Sequence, residues 1–527
     1  MPTKRKKTEK ELFTPQVLDK TVIAIPLLDI LDEEEKKKKR GGKPEPQLVI
    51  IDINLEYREG PEAARERVKA EIARAIKEYG SKSKRIHQGV NEAKSDLSEQ
   101  YLFARLEVAV IRGLVRIDNE ERKASDEPGA RLRQRAIYRI WPDFPINALI
   151  NRSLSTVKAD AARTSFSATG QDIVWAVLDS GIDEHHPHFA AHGTLKMDSA
   201  LTHQDFTVVS GKGDPLKDEF GHGTHVAGII AGEIPLGSTS HVVALARHRD
   251  EKGTITFDQL KLDTISGMAP KCKLLSLKVL DAEGQGTASN LIAAIATIQK
   301  MNGYGRRIQV HGVNMSVGYD FEPEWFACGQ SPLCVEVNRL VRSGVVVVVA
   351  AGNTGYGFAQ SAFRGTIAAG MGLTINDPGN AELAITVGAT HRDSPHIYGV
   401  SYFSSKGPTG DGRLKPDVVA PGEKILSCAA GKMKATAVSE ASAGRVDKAG
   451  AALSKAEKCL YVEDSGTSMA APHVSGIAAA FLSIRKEFIG RPEEVKQILL
   501  SSATDLKRDR YFQGSGLVDL MRAIQSV

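Results

Sequence analysis

Ser468 lies in the stretch Asp464-Ser465-Gly466-Thr467-Ser468-Met469-Ala470-Ala471-Pro472-His473-Val474-Ser475-Gly476. A turn on Gly466 leads into a run whose apolar residues, Met469, Ala470, Ala471, Val474, Ile477, Ala478, Phe481 and Leu482, have helical spacing. The hydroxyl therefore sits at the mouth of a helix. A serine there is by default an N-cap or a turn residue. Two further stretches change that reading. Ile173-Val174-Trp175-Ala176-Val177-Leu178-Asp179-Ser180-Gly181 carries a carboxylate, and Gly221-His222-Gly223-Thr224-His225-Val226-Ala227-Gly228 carries an imidazole. A serine hydroxyl is a poor nucleophile at neutral pH, and a base must take its proton as it attacks.

Taken together, the three stretches resemble the signature segments of the subtilisin-like serine proteases (subtilases, peptidase S8), in that family's order of Asp, His and Ser. The resemblance covers roughly Ser155 to Val527. It implies a serine endopeptidase working through an acyl-enzyme, with Asp179, His222 and Ser468 as the catalytic triad. His222 would be the base, and Asp179 would fix its tautomer and stabilise the imidazolium. His225, one turn on, reads as structural. Asp183 and Asp218 are rival carboxylates, read as solvated turn residues. Ala350-Ala351-Gly352-Asn353-Thr354-Gly355 resembles the family's oxyanion segment, with the Asn353 side chain and the Ser468 N–H as donors. Substrate would add to the cleft as an extra strand between Ser316-Val317-Gly318 and the loop around Gly284. The pocket walls would be Ser316, Val317, Gly318, Ala350, Ala351 and Gly352. The pocket floor would lie near Asn376-Asp377-Pro378-Gly379, where Asp377 would either favour a basic residue or cap the turn at Pro378.

The elements that must position these groups alternate. Strands are expected at 172–178, 273–279, 309–315, 345–350 and 384–388. Helices are expected at 222–231, 289–300, 335–343 and 469–486. Such alternation implies a mostly parallel sheet covered on both faces, with the site at the strands' carboxyl ends. The expected fold class is α/β, a subtilisin-like three-layer α/β/α domain over 155–527, preceded by a small α+β domain. Two insertions, 233–264 and 429–463, lengthen loops of the large domain, and Arg445 to Lys458 has the pattern of an amphipathic helix.

Ahead of it, 1–46 is charged and reads as a flexible leader. Residues 47–143 read as the small α+β domain: a strand at 47–57, a helix from Gly60 to Gly80, a strand at 101–110, a helix at 130–136 and a strand at 137–141. By resemblance this unit would be a propeptide, an intramolecular inhibitor made with the enzyme as a zymogen; the alternative is a permanent accessory domain. Self-cleavage would then fall in the linker, 144–154. The competing reading of the whole chain is an inactive or permanently self-inhibited subtilase-like protein that acts through partner binding. An intact Asp179, His222, Asn353 and Ser468 set argues against it. Esterase or ligase activity on the same triad is a third reading.

Bulk properties fit a large globular enzyme. The chain has 527 residues, 42% hydrophobic and 25% charged, with a net charge of +5. The basic excess is local, in Lys4–Lys7 and Lys36–Arg40, so nucleic acid is not the expected partner; polypeptide substrates are. Five cysteines in this length suit a reducing compartment. No secretory pattern and no apolar run near ~20 residues is seen, so a cytoplasmic location without a membrane span is expected. No cofactor is expected for catalysis. Structural calcium is common in the family, but no loop here has convincing oxygen-ligand spacing, and no metal site is expected. Cys328 and Cys334 leave a disulfide, half a metal site or two free thiols open, with thiols leading.

Overall fold

The computed structural model describes residues 22–40, 45–81, 88–96, 98–120, 134–142, 152–208, 213–236, 242–249, 255–321, 327–361, 365–443 and 459–527. The chain divides into two compact units, 1–148 and 149–527.

The first unit begins earlier than the sequence suggests. Ile25–Lys39 is a helix (α1), not a mobile leader. Leu27 and Leu31, one turn apart, are fully buried in the unit's own core, and Ile23 bridges to Ile140. The charged residues from Glu33 to Lys39 continue the same helix. Next come β1 (Gln47–Ile53), α2 (Pro61–Tyr79), β2 (Gly89–Val90), β3 (Tyr101–Leu106), α3 (Val108–Glu120) and β4 (Ile137–Pro142). The sheet order is β2-β3-β1-β4, antiparallel throughout. This β-α-β-β-α-β wiring is the ferredoxin-like arrangement. The strand expected at 101–110 ends at Leu106. Val110, Ile111, Leu114 and Ile117 then bury one face of α3 at helical spacing. The helix expected at 130–136 and the amphipathic segment 445–458 lie outside the described residues, except that 134–136 is not helical.

In the second unit a seven-stranded parallel sheet carries the site. Its strands are β5 (Val174–Asp179), β6 (Gln204–Asp205), β9 (Lys273–Lys278), β10 (Gly312–Met315), β11 (Val346–Ala350), β12 (Ile385–His391) and β13 (Val418–Glu423). They lie in the order β13-β12-β11-β10-β5-β9-β6. Numbers β7 (Val242–Arg249) and β8 (Ile255–Leu262) belong to a separate sheet described below. The valine run of β11 shows why the sheet is sandwiched. Val346 and Val348 point into one core, with α4 (His222–Ile230) and the helix Thr467–Ile484. Val347 and Val349 point into another, with α5 (Ala288–Met301) and α6 (Pro332–Arg342). Alternating direction along a strand makes both faces apolar, and each must be covered.

The two insertions come together. After β13 the chain forms β14 (Ile425–Cys428), a helix α7 (Gly431–Ala443) and β15 (Tyr461–Asp464). A four-stranded sheet runs β14-β15-β7-β8, with β15 parallel to β7. Leu245, Ala429, Ala437, Cys459 and Val462 bury a small core between the two insertions. The chain then enters α8 (Thr467–Ile484). By length and composition this helix could cross a membrane, yet 83% of its apolar window is buried inside the protein. It is the central helix of the core.

Candidate active site

β5 ends at Asp179, which is 1% exposed, and α4 begins at His222. The Asp179 Oδ1 accepts from Ser180 N at 2.8 Å and pairs with His222 Nδ1 at 2.8 Å. His222 follows Gly221, whose φ of +102 is open to glycine. Gly223 must also be glycine: a Cβ there would lie 2.2 Å from the Gly181 carbonyl oxygen. These two positions let the start of α4 press against the end of β5.

Asp218 is the residue the sequence reading misplaced. It is not a solvated turn residue but is buried behind the pair. Its Oδ1 accepts from Gly221 N and Ser180 Oγ, and its Oδ2 accepts from Thr224 N and Oγ1. Ser180 Oγ in turn accepts from Gly223 N at 2.9 Å. One carboxylate thus ties the Asp179 loop to both sides of His222. Burial raises its pKa above the ordinary carboxylate value, against those hydrogen bonds. Asp183 is half-buried and caps a turn at His185 N. His225 is buried against the Val462 carbonyl, away from the cleft.

Ser468 is the second residue of α8. Its Oγ donates to the Ser316 carbonyl at 3.0 Å, and Ser316 Oγ donates to the Ser468 carbonyl at 2.8 Å. The second bond follows from sequence. Pro472 stands inside the helix and has no N–H, so the Ser468 carbonyl has no partner four residues on. Ser316 takes that place and ties the helix to the strand edge.

Asn353 closes the ring. Its Oδ1 accepts from Thr467 N at 2.9 Å and from Thr467 Oγ1 at 3.1 Å. A backbone N–H can only donate, so the amide orientation is fixed and Nδ2 is the free end. Gly352 N donates to Thr467 Oγ1, holding the segment to the same turn.

A cleft of about 590 Å³ collects these groups. His222, Ser468, Asn353, Gly284, Ser316, Val317, Gly318, Ala350 and Gly352 all line it. Two expected lining residues do not. Ala351 is fully buried, its N–H bonded to Val387 O, because the strand alternation that exposes Ala350 turns it inward. Asp377 is 1% exposed, with Oδ1 accepting from Asn380 Nδ2 and its backbone exchanging bonds with Tyr319. Its carboxylate is spent inside the turn. Asn376 of the expected floor reaches the cleft instead, with Thr354 of the oxyanion segment, and beside them lie Tyr319 and Phe220, which the sequence did not point to. Asn376 Nδ2 donates to Asp320 at 3.1 Å. All five cysteines carry free thiols, with Cys334 buried.

Electrostatically the imidazole stands among carboxylates. Burial pulls the His222 pKa down, but Asp179, through charge and hydrogen bond, and then Asp464 and Asp218 carry it up to about 9. A fixed tautomer, a hydroxyl at a helix N-terminus and an amide donor on one cleft are parts suited to acyl transfer.

The subtilase family pattern matches residues 170–517. Serine protease AprX of Bacillus subtilis (strain 168) is 29% identical over 401 residues, covering 74% of each chain. Subtilisin E of the same organism is 28% identical over 372 residues, covering 71% of this chain and 70% of its own. Subtilase-type proteinase psp3 of Schizosaccharomyces pombe is 28% identical over 334 residues, covering 63% and 52%. A matched stretch that spans both the β5 carboxylate and the α8 serine makes this chain a member of the subtilase family of serine proteases.

Proposed function

We propose that the chain is an endopeptidase whose triad is Asp179, His222 and Ser468, with Asn353 as oxyanion donor. The observation that carries the reading is the 2.8 Å bond between His222 Nδ1 and Asp179, on a cleft that Ser468 and Asn353 also line. With Nδ1 engaged, Nε2 is the ring atom left for chemistry. Ser468 Oγ exchanges its bond to Ser316 for one to Nε2 and attacks the peptide carbonyl as Nε2 takes its proton. Asp179 stabilises the imidazolium. Asn353 Nδ2 and the Ser468 N–H, which lies in the first turn of α8 where no helical acceptor exists, hold the oxyanion. The imidazolium then gives its proton to the departing amine, and water completes the cycle.

The N-terminal unit is proposed as an inhibitory propeptide, supported by its ferredoxin-like wiring ahead of the protease domain. A fluorophosphonate probe, applied beside Ser468→Ala while chain mass is followed, tests both. Labelling only of the wild type supports the triad. Loss of an N-terminal fragment, with a cut between residues 143 and 155, supports the propeptide; labelling without fragment loss leaves a permanent accessory domain. No labelling at all would sink the enzyme reading in favour of a silent, partner-binding protein.

A further inference from the structure

A second cavity, of about 340 Å³, opens beside the first. Among the described residues the two share only Phe220 and His222 as walls. Every group proposed to hold the acyl half of the substrate lies on the first cavity: Asn353, Ser468, the Ser316–Gly318 edge and the Gly284 loop. His222 delivers its proton to the leaving amine, so the residue carrying that amine must extend past the imidazole. The second cavity is where it goes.

Its walls belong to the insertion. Helix α7 supplies Lys432, Met433, Thr436, Ala437 and Glu440, and β15 supplies Val462, Glu463 and Asp464. The helix is held in place by backbone bonds from Lys432 N to Glu219 O and from Met433 N to Phe220 O. Two of the charged walls are already matched. Lys432 pairs with Glu283 at 2.5 Å, and Glu463 pairs with Arg392. Glu440 and Asp464 make no ion pair among the described residues. Met433, Ala437, Val462 and Phe220 offer apolar surface between them. An aliphatic stem on that surface, ending in a cation between two carboxylates, is the shape of a lysine or arginine side chain.

We propose that α7 and β15 form a leaving-group subsite that selects substrates with a basic residue just after the scissile bond, through Glu440 and Asp464. The proposal rests on the endopeptidase reading above and names its substrate class.

Acyl transfer reads this subsite separately from the acyl side. A peptide ethyl ester acylates Ser468: the carbonyl-to-ethoxy bond breaks, the bond to Oγ forms, and ethanol leaves with the proton from His222. An added amino-acid amide then competes with water. Its nitrogen bonds to the acyl carbon, the bond to Oγ breaks, and the amine's proton returns through His222 to Oγ. With full-length protein, argininamide and lysinamide should capture the acyl group about fivefold better than leucinamide at equal concentration, the scale of partly exposed ion pairs. The double variant E440Q/D464N should bring the ratio close to one. Glu440→Lys, on an exposed helix face, should turn the preference toward an acidic amide such as glutamic acid amide. An acyl-enzyme that shows no preference among the amides in the wild type overturns the subsite and leaves the endopeptidase reading standing. Failure of the ester to acylate Ser468 overturns both.

Discussion

At the scale of single residues, the chemistry depends on how far His222 is driven toward its charged form. Its pKa of about 9 leaves the imidazole protonated, and so useless as a base, over most of the neutral range. The kcat/KM of peptide cleavage should therefore climb between pH 7 and 9. Asp464→Asn removes one of the anions that hold the charge and should move that limb to lower pH. A profile already level at pH 7 would sink the assignment. The same shift is a stability statement. A histidine whose folded pKa exceeds its unfolded value near 6.5 stabilises the fold fully below 6.5, and the contribution disappears as pH rises through about 9. Urea titration of Ser468→Ala, which cannot digest itself, should show a loss of up to about 3 kcal/mol across that window, less to the extent that the partly exposed ring is screened. Asn353 permits a cleaner test of electrostatics, since its amide is oriented by Thr467 and only Nδ2 faces the reaction. Asn353→Leu should lower kcat about 10²–10³-fold with little change in KM, the size known for such a donor in subtilisin.

Elements position these atoms, and the loop before α4 does so with one buried anion. Asp218→Ala strands Ser180 Oγ, Gly221 N, Thr224 N and Thr224 Oγ1 at once. We expect a stability loss of about 3–5 kcal/mol by thermal unfolding and a fall in kcat, because His222 loses its mooring. Asp218→Asn keeps an acceptor on one side only and should fall between the variant and the wild type; an alanine variant as stable as the wild type would refute the role. This residue also shows what the chain did not reveal. The strands β5, β9, β10 and β11 and the helices α4 and α8 were readable because their apolar runs have one period each. Asp218 was not, because an aspartate three residues before a glycine looks the same whether its acceptors face water or a backbone. Asp377 shows the same ambiguity from the other side: beside Pro378 it reads either as a pocket floor or as a turn cap, and its carboxylate lies inside the turn against Asn380 Nδ2. The β-branched start of Val108-Ala109-Val110 hid α3, whose helical spacing emerges only at Ile111, Leu114 and Ile117. The pairing of β7 with β15 was invisible because the partners, such as Ala244 and Tyr461, lie more than two hundred residues apart.

For the molecule as a whole, the question is what makes each unit fold. The large unit buries one core on each face of a single sheet. The small unit is different. Its core is closed at one side by Val22, Ile23, Leu27 and Leu31, from the segment that composition alone marks as a linker. Each of the four is at most 7% exposed. Removing them takes away about 1.5–3 kcal/mol of burial apiece, which together matches or exceeds the stability of an ordinary small domain. A fragment of residues 1–148 should therefore unfold cooperatively in urea. A fragment starting at Gln47 should show helical circular dichroism without a sharp transition and should bind a hydrophobic dye. If this unit is the inhibitor proposed above, only the longer fragment should slow peptide cleavage when added to the protease, since an inhibitor that must order itself on binding loses affinity by that cost. Equal stability of the two fragments would return the segment before Gln47 to the status of a tether, and the role assigned to Leu27 and Leu31 would fall with it.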